Sequence, residues 1–334
     1  MEKLLEIKNL ETAFRIKDDY FNAVDKVSLD LYRNEVLAIV GESGCGKSTL
    51  ATTIMRLHNE NLTKSTGEII FNGKNILDLT EDEMNKIRTK DIGMIFQDPL
   101  SSLNPLHRIG KQIEEALIYH TELSAEERQK RVIELLTQVG IPNPERCAKQ
   151  YPHELSGGMR QRVMIAMAMS CKPSVLIADE PTTALDVTIQ AQILDLIKGL
   201  QAEMHAGIIL ITHDLGVVAE MADRVAVLYA GEVVEIGTAE QIFKNPQHPY
   251  TRSLLRSIPQ LDDEDVSDDL YVIQGMVPSL KTLDRQGCRF ADRIPWVKDE
   301  HHEHNPTLHE VEEGHHVRCT CYRNFEFEGE ENNA

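Results

Sequence analysis

Short apolar runs and alternating segments predict the strands of this chain. Residues 35–40, 174–179 and 206–212 are continuous apolar runs rich in β-branched side chains, which is typical of parallel strands buried on both faces. Residues 3–8 and 24–31 instead alternate between apolar and polar side chains, on either side of a polar insert around 17–19. This alternation predicts strands with one buried face. Residues 67–73 and 91–97 complete the predicted strands, and each run is followed by a turn signal.

Helical periodicity dominates the segment from residue 108 to about residue 170. Ile109, Ile113 and Leu117 fall on one face, and apolar residues between 132 and 139 repeat with similar spacing, which predicts amphipathic helices. Further helices are predicted at 50–56, at 187–200 and around Ile242 and Phe243. Because helices alternate with buried strands, the chain is predicted to be an α/β protein with a helical insertion at about 98–170.

The segment Gly41-Glu-Ser-Gly-Cys-Gly-Lys-Ser-Thr49 fits the pattern G-x-x-x-x-G-K-[ST], between a predicted strand and a predicted helix. In that context the glycines allow backbone N–H groups to point at a phosphate, and the helix start adds its dipole. Lys47 is expected to reach the outer phosphates of a nucleotide, and the Ser48 hydroxyl to bind Mg²⁺. Cys45 occupies a variable position and is interpreted as a small filler.

Polar residues end three of the other predicted strands. Asp179 and Glu180 follow five apolar residues, and ligands of parallel sheets lie at the carboxyl ends of the strands. Asp179 is therefore expected to hold Mg²⁺ through water, and Glu180 to orient or deprotonate an attacking water. Gln97 and His213 end further strands. Taken alone, Gln97 is better explained as an ordinary polar loop residue. A lone histidine usually has the same explanation, but His213 ends a strand that neighbours the acidic one, which favours a functional role.

A second anion site is predicted at Leu155-Ser-Gly-Gly-Met-Arg-Gln-Arg162, where a serine and two glycines open a long apolar helix. The alternative is a serine that caps the helix without any ligand. Near the amino terminus, Phe14, Tyr20 and Phe21 are candidates to stack on an adenine, with Phe14 the first choice. Packing under a sheet edge explains any one of them equally well.

Composition narrows the class of protein. The net charge of −19 argues against a nucleic-acid-binding protein, and residues 261–334 carry 18 acidic against 7 basic side chains. No run is long and apolar enough to cross a membrane, and the charged start of the chain does not resemble a secretion signal. Six cysteines spread over the whole length do not suggest a disulfide framework. These features predict a cytosolic protein.

These motifs form an ordered set that resembles the nucleotide-binding subunit of ATP-binding cassette transporters, over residues 1 to about 240. In chain order the set consists of segment 41–49, Gln97, Leu155-Ser-Gly-Gly158, Val175 to Glu180, Ala184-Leu-Asp186 and His213. The resemblance implies a P-loop NTPase fold, with a RecA-like core, an antiparallel β-subdomain and a helical subdomain. It divides the chain into a nucleotide-binding domain at 1–245 and an accessory region at 246–334.

The resemblance also implies an ATPase that uses ATP and Mg²⁺. The positions that it assigns to ATP are Gly41, Ser43, Gly44, Cys45, Gly46, Lys47, Ser48, Thr49, Ser156, Gly157, Gly158, Gln161 and Asp186. Phe14 joins them as the first choice for adenine stacking, because of its aromatic ring. Those that it assigns to Mg²⁺ are Ser48, Gln97 and Asp179, and the catalytic ones are Gln97, Glu180 and His213. Mechanistically, such residues position and stabilise the transferred phosphoryl group.

Partners are implied in the same way. Two such subunits pair head to tail, so that each ATP lies between the phosphate loop of one subunit and the Ser156-Gly-Gly158 segment of the other. We expect a related but different second subunit, two transmembrane permease subunits that dock on the helical insertion, and an extracellular or periplasmic substrate-binding protein. No nucleic acid partner is expected. The chain would then lie at the cytoplasmic side of the cell membrane.

Three further stretches resemble the oligopeptide/dipeptide importer branch of this family: Phe96-Gln-Asp-Pro-Leu-Ser-Ser-Leu-Asn-Pro105, 159–167 and Asn245-Pro-Gln-His-Pro-Tyr-Thr-Arg252. The expected function is ATP-driven uptake of di- or oligopeptides. Import of nickel or glutathione by the same motor stays open. A soluble cassette acting on ribosomes or DNA, or a non-hydrolysing regulatory subunit, agrees less well with the single cassette, the acidic charge and the intact motifs.

In the branch that the chain resembles, the tail often carries four cysteines that hold an iron–sulfur cluster. By spacing, Cys288 and Cys319 remain here, whereas Ile294 and His301 stand at the other two places. Isoleucine cannot bind iron, so four-thiolate ligation would need a substitute. Cys321 and the six histidines at 301, 302, 304, 309, 315 and 316 make zinc a chemically reasonable alternative. The sequence-based expectation is nevertheless that this tail binds no specific metal.

Overall fold

Two β-sheets form the framework of the fold. The computed structural model describes residues 2–183, 185–258 and 271–327, and within these ranges it contains twelve strands. The larger sheet has eight strands and the smaller one four. Helices pack around the larger sheet, which confirms the predicted α/β class.

The larger sheet is the core of the protein. Its strands are β3 (Val36–Val40), β6 (Ile92–Ile95), β7 (Val175–Asp179), β8 (Gly207–Ile211), β9 (Arg224–Tyr229), β10 (Glu232–Thr238), β11 (Leu308–Glu312) and β12 (His315–Arg318). They lie in the order β11-β12-β10-β9-β3-β8-β7-β6. The five strands from β9 to β6 are parallel, and β10, β12 and β11 continue the sheet in antiparallel pairs. Every residue of β3, β7 and β8 is buried, as their apolar runs predict.

The smaller sheet is antiparallel, as expected. Its strands are β1 (Lys3–Ile16), β2 (Asp19–Tyr32), β4 (Thr63–Phe71) and β5 (Lys74–Asn75), in the order β2-β1-β4-β5. β1 and β2 are each much longer than the alternating segments that predicted them. Their outer halves still pair along the backbone, with Phe14 opposite Phe21 and Thr63. Backbone pairing thus continues beyond the part of the hairpin whose side chains alternate.

Helices cover the larger sheet and form the predicted insertion. They are α1 (Lys47–Ile54), α2 (Glu81–Ile87), α3 (Pro99–Ser102), α4 (Ile109–His120), α5 (Ala125–Gln138), α6 (Pro144–Cys147), α7 (Gly157–Ala168), α8 (Val187–Met204), α9 (Leu215–Met221), α10 (Ala239–Lys244) and α11 (Pro249–Arg256). Single 3₁₀ turns lie at Ile76–Asp78, Pro152–Glu154, Ala291–Arg293, Asp299–His301 and Cys321–Asn324. Ile109, Ile113 and Leu117 of α4 pack with α5 and α7 in one apolar cluster, so the predicted apolar faces are the buried ones.

The carboxy-terminal region is joined to the core rather than appended to it. The hairpin of β11 and β12 extends the larger sheet beyond β10, and Phe290 and Cys319 share an apolar cluster with Tyr229 of β9. The domain boundary at 245/246 stays a prediction. Pro259 and the acidic cluster at 262–265 lie outside the described residues. Among the described helices, none combines the length and apolarity needed to cross a membrane.

Candidate nucleotide site

The phosphate loop connects β3 to α1, and two of its three glycines are required by close backbone contacts. A β-carbon on Gly41 would lie 2.2 Å from the carbonyl oxygen of Leu228, and one on Gly46 would lie 2.5 Å from that of Ala23. Both residues also have a positive φ, 150° and 107°, which disfavours other side chains. The loop therefore holds its curved shape because β2 and β9 press against it from outside. Cys45 is buried, in agreement with a filler role.

Lys47 lies inside this curve. Its Nζ donates hydrogen bonds to the carbonyl oxygens of Gly41 at 2.7 Å and Glu42 at 3.0 Å, and the side chain is only 5% exposed. The ammonium group is thus held at the centre of the loop, whereas Ser43 and Gly44 at its tip are exposed. A phosphate placed in the loop would meet this positive charge together with the start of α1.

The predicted magnesium ligands Ser48 and Asp179 lie next to each other. Ser48 Oγ, in the first turn of α1, donates a hydrogen bond of 3.1 Å to Asp179 Oδ1, at the end of β7. Asp179 is 5% exposed, and burial raises the pKa of its carboxyl group although the bond from Ser48 opposes this. A hydroxyl and a buried carboxylate in contact are suitable ligands for Mg²⁺.

Glu180 is the centre of the predicted catalytic group. Its Oε2 accepts hydrogen bonds of 2.8 Å from Gln97 Nε2 and from Thr183 Oγ1, and its Oε1 lies 3.4 Å from His213 Nδ1. The backbone of Glu180 has a φ of 46°, an uncommon conformation for a residue with a β-carbon. Since β8 lies between β3 and β7, His213 is placed between the phosphate loop and the acidic pair.

The second anion segment is also a helix start. Ser156 caps α7 by accepting a hydrogen bond from the Met159 N–H, and Ser156 and Gly157 are exposed. Among the described residues, no hydrogen bond or ion pair joins segment 156–158 to the phosphate loop. Asp186 is exposed as well and caps α8 through the Ile189 N–H; its neighbour Ala184 lies outside the described residues.

The assignment of Gln161 to ATP stays a prediction, and the side chain is buried in this chain. Its side chain is 2% exposed and donates a hydrogen bond of 2.5 Å to the carbonyl oxygen of Pro181. It follows Ser156 by more than one helical turn, so it points into the chain's own core and ties α7 to the segment after Glu180. We infer that Gln161 positions the segment after Glu180.

The three aromatic candidates are half-buried on the long hairpin of β1 and β2. The ring of Phe14 packs edge-on against His58 with a centroid distance of 5.1 Å. His58 in turn lies 3.3 Å from the carbonyl oxygen of Thr49 in α1. Tyr20 instead has Lys64 above its ring at 4.0 Å. Phe14 is thus linked to the helix of the phosphate loop through one side chain, and its role in adenine stacking stays a prediction.

Known proteins with the same combination of segments identify the family. A family model described as ABC transporter matches residues 24–183, and one described as oligopeptide/dipeptide transporter, C-terminal region, matches residues 234–300. The oligopeptide transport ATP-binding protein OppD of Lactococcus lactis subsp. cremoris is 54% identical over 98% of this chain and 96% of its own length. The chain belongs to the ABC transporter family. The dipeptide transport ATP-binding protein DppD of Bacillus subtilis is 52% identical over 88% of each chain.

Solved structures agree with this ABC assignment. The dimeric ATP-binding cassette MJ0796, in a post-hydrolysis state bound to ADP and Pi, superposes with a TM-score of 0.64. The match covers 71% of this chain and 99% of that one, at 33% identity. This confirms the predicted P-loop ATPase fold.

The accessory region of this ABC protein supports the phosphate loop, which sequence reasoning missed. Arg293, 4% exposed in its side chain, forms two bonds to Glu42 of the loop, at 2.6 and 3.1 Å. The Tyr250 hydroxyl accepts the Glu42 N–H at 2.7 Å, and burial raises the pKa of that hydroxyl far above its usual range. The only available signal was that Arg293 belongs to the segment 287–293, which resembles the family's tail.

A second ion pair links the accessory region to β2. Asp25 lies 3.0 Å from Arg285 and 2.5 Å from Arg289. Burial alone would raise the pKa of Asp25, but the two guanidinium groups hold it below its usual range.

Thr183 is a further residue of the site that the sequence did not predict. It contacts Glu180, although the only signal was that it follows the acidic pair closely.

The cysteines of the tail converge in space. Cys288, Cys319 and Cys321 lie together with His302, whereas the spacing of the sequence placed His301 at that position. His301 instead faces Glu300 at 3.9 Å. Ile294 is 1% exposed and belongs to the apolar cluster around Tyr229, so it contributes packing and no ligand.

Proposed function

We propose that this chain is the ATP-hydrolysing motor of a membrane importer for di- or oligopeptides. The observation that carries the proposal is the convergence of Gln97, Thr183 and His213 on Glu180, beside the contact of Ser48 with Asp179. Relatives that are 54% and 52% identical carry the names of oligopeptide and dipeptide transport ATP-binding proteins, which supports peptides as the cargo.

The proposed chemistry is the transfer of the γ-phosphoryl group of ATP to water. The phosphate loop would bind the phosphates with its N–H groups and Lys47, and Glu180 would hold the attacking water in line. Gln97 and Thr183 fix one oxygen of the Glu180 carboxylate, which leaves the side of Oε1, toward His213, to face the water and the γ-phosphate. Mg²⁺, held by Ser48 and Asp179, would neutralise phosphate charge.

A second ATPase subunit would complete the site. Ser156, Gly157 and Asp186 are exposed on this chain, and Ser156 and Asp186 each cap the start of a helix. Among the described residues, none of the three is bonded to the phosphate loop of the same chain. The neighbouring Val187 is 83% exposed and adds an apolar side chain to the same face. Both features support a face that meets another cassette head to tail. We infer a related but different subunit as the partner.

Permease subunits would bind in the groove between the helical insertion and the core sheet. This groove has a volume of about 710 Å³ and is lined by apolar side chains such as Met94, Phe96 and Met164. Tyr119 at its rim is 77% exposed. A short helix of a membrane subunit would bury these side chains, so that closing of the two ATPases moves the permease. The chain would accordingly sit at the cytoplasmic face of the membrane, with a substrate-binding protein on the other side.

The variant Glu180→Gln tests the ATPase part of the proposal. It keeps the size and one oxygen of the side chain but removes the charge that orients water, so we expect at least about a 100-fold loss of turnover. Binding of ATP, measured by fluorescence of a labelled nucleotide, should be retained. The matched control is Glu220→Gln, on the exposed side of α9, which should hydrolyse ATP like the unmodified chain. Turnover of Glu180→Gln at the control rate would refute the role of Glu180.

Uptake assays test the cargo. Cells that lack this chain should lose import of labelled di- and oligopeptides and recover it with the unmodified chain but not with Glu180→Gln. Nickel and glutathione uptake are measured in the same cells. If uptake of nickel or of glutathione depends on the chain and uptake of peptides does not, the motor is confirmed as a transport ATPase but the peptide assignment is wrong.

A further inference from the structure

Four potential metal ligands come together at the base of the accessory region. They are the thiols of Cys288, Cys319 and Cys321 and a ring nitrogen of His302, and all four atoms lie within 4.8 Å of one another. The residues come from three segments of the chain: Cys288 precedes the 3₁₀ turn at 291–293, His302 follows the turn at 299–301, and the other two follow β12. Only the tertiary fold brings them together.

The surroundings of His302 point to an unfilled role for its ring. Both ring nitrogens are buried, and neither has a hydrogen-bond partner among the described residues. A buried imidazole without a partner is costly, because its polar atoms lose water and gain nothing in return. Coordination of a metal by one nitrogen would remove this cost for that atom.

The backbone around the group is arranged like that of a metal site. The Glu303 N–H donates to Cys319 Sγ at 3.3 Å, a bond that stabilises a thiolate. Cys319 itself has a φ of 65°, so its backbone turns sharply to present the sulfur. The Gly287 N–H donates to the His304 carbonyl at 3.0 Å, which ties the segment of Cys288 to that of His302.

An iron–sulfur cluster of the kind expected for the family does not fit this group. A four-iron cluster takes four thiolates, but this group offers three, and Ile294 is packed in the apolar cluster. Such a cluster stands between its ligands and needs them well separated. Here the four atoms are close enough to surround one ion: Zn–S bonds of about 2.3 Å give a tetrahedron with edges of roughly 3.8 Å.

We propose that Cys288, His302, Cys319 and Cys321 bind a single zinc ion in a closed structural site. This replaces the sequence-based expectation that the tail binds no specific metal. Three thiolates and one imidazole favour zinc among the common metals, and four protein ligands leave no open position for catalysis. An ion can enter through a cavity of about 340 Å³ that is lined by Cys288 and His302, with Asp292 and Asp299 at its wall.

Metal analysis of the full-length chain tests the proposal. The chain is purified without chelator, under anaerobic and reducing conditions, from cells supplied with both zinc and iron. We expect about one zinc ion per chain, with almost no iron or acid-labile sulfide. Replacement of zinc by cobalt should give the intense visible absorption of a tetrahedral site with thiolate ligands.

Matched variants locate the ligands. His302→Gln and Cys321→Ser should each weaken zinc binding at least about tenfold in a chelator competition. His301→Gln, one residue away, and Cys171→Ser, a free cysteine in the nucleotide-binding part of the chain, should keep full zinc content. Circular dichroism of each variant is compared with that of the unmodified chain, so that loss of a ligand is distinguished from loss of folding. The cobalt spectrum of each variant is compared with that of the unmodified chain in the same way.

Three results would overturn the proposal. The first is iron with an equal amount of sulfide, which would indicate a cluster. The second is a chain that, purified in this way, contains no stoichiometric metal. The third is zinc that is lost with His301→Gln but kept with His302→Gln and Cys321→Ser, which would mean that other residues bind it.

Discussion

The pair formed by Arg293 and Glu42 predicts that the accessory region controls nucleotide affinity. Arg293 makes two bonds to Glu42 and also donates to the carbonyl oxygen of Gln274 at 2.6 Å. Its side chain is almost fully buried, and that of Glu42 is 29% exposed. The substitution Arg293→Lys keeps the charge but cannot make the two parallel bonds.

The expected loss can be worked from these contacts. Lysine would keep one bond to Glu42 and lose the second, together with the bond to Gln274. At about 1 kcal/mol for each lost hydrogen bond, and somewhat more for the charged one, the free energy of unfolding should fall by roughly 2–3 kcal/mol. The substitution would also make the backbone of Glu42 more mobile in the nucleotide-free chain. Binding of ATP must then fix this residue, at a cost of about 1–2 kcal/mol in conformational entropy, which corresponds to roughly tenfold weaker binding.

Two measurements check this prediction. Urea unfolding gives the loss of stability, and titration with a fluorescent ATP analogue gives the affinity. A double-mutant cycle with Glu42→Gln should yield a coupling of about 1–2 kcal/mol. The control is Lys244→Gln, which breaks an ion pair whose side chains are 75% and 73% exposed and should cost less than about 0.5 kcal/mol. An Arg293→Lys chain that matches this control in both assays would refute the reasoning.

Two further predictions concern the buried polar residues of the site. Burial raises the pKa of Asp179, so its ionised form destabilises the nucleotide-free fold. Asp179→Asn should therefore unfold at a higher urea concentration than the unmodified chain at neutral pH. This difference should shrink on acidification, because Asp179 itself then becomes protonated in the folded state. The same variant should bind ATP in the presence of Mg²⁺ at least about tenfold more weakly. If the variant were less stable than the unmodified chain at neutral pH, the predicted direction of the stability change would be wrong. Gln161→Leu leaves the Pro181 carbonyl without its partner and should cost about 1–3 kcal/mol of unfolding free energy. Its turnover should fall while its ATP affinity stays within about twofold, and unchanged stability in urea would remove its positioning role.

Much of the nucleotide site could be predicted because its residues lie at the ends of strands that their own sequences define. The apolar runs before Gly41, Asp179 and His213 fix parallel strands, and the carboxyl ends of parallel strands meet at one edge. The order of the strands was not readable from the runs. It is this order, with β8 between β3 and β7, that places His213 beside Glu180.

The rest of the site depends on contacts between distant parts of the chain. Glu42 and Arg293 are 251 positions apart, and nothing in the local pattern of either segment indicates their contact. The spacing of the tail pointed to His301, but the 3₁₀ turn at 299–301 presents the next residue to the cysteines. Gln161 comes shortly after the exposed residues Ser156 and Gly157 in the sequence. Its side chain nevertheless lies in the core, because the rotation of α7 between Ser156 and Gln161 turns it to the buried face of the helix.

The packing of the tail leads to a last prediction, on whether the accessory region can be removed. β12 covers the edge of β10, and His315 of β12 reaches Glu235 of β10 at 2.8 Å, with both side chains fully buried. Glu235 also accepts bonds from the N–H groups of Gln247 and His248. Without β12, a carboxylate loses a buried partner, and a sheet edge rich in apolar residues faces water.

A chain that ends at Ile258 should therefore lose much more than an appendage. An unpaired sheet edge favours association with other chains, and removal of Phe290 uncovers the rings of Tyr229 and Tyr250, which pack against it at 5.2 and 5.3 Å. We expect this chain to aggregate in size-exclusion chromatography and to bind ATP poorly. A chain that ends at Phe327 keeps all of these contacts and serves as the control. If the shorter chain is monodisperse and binds ATP like the control, the accessory region is a separable domain, and its contacts with Glu42 do not stabilise the phosphate loop.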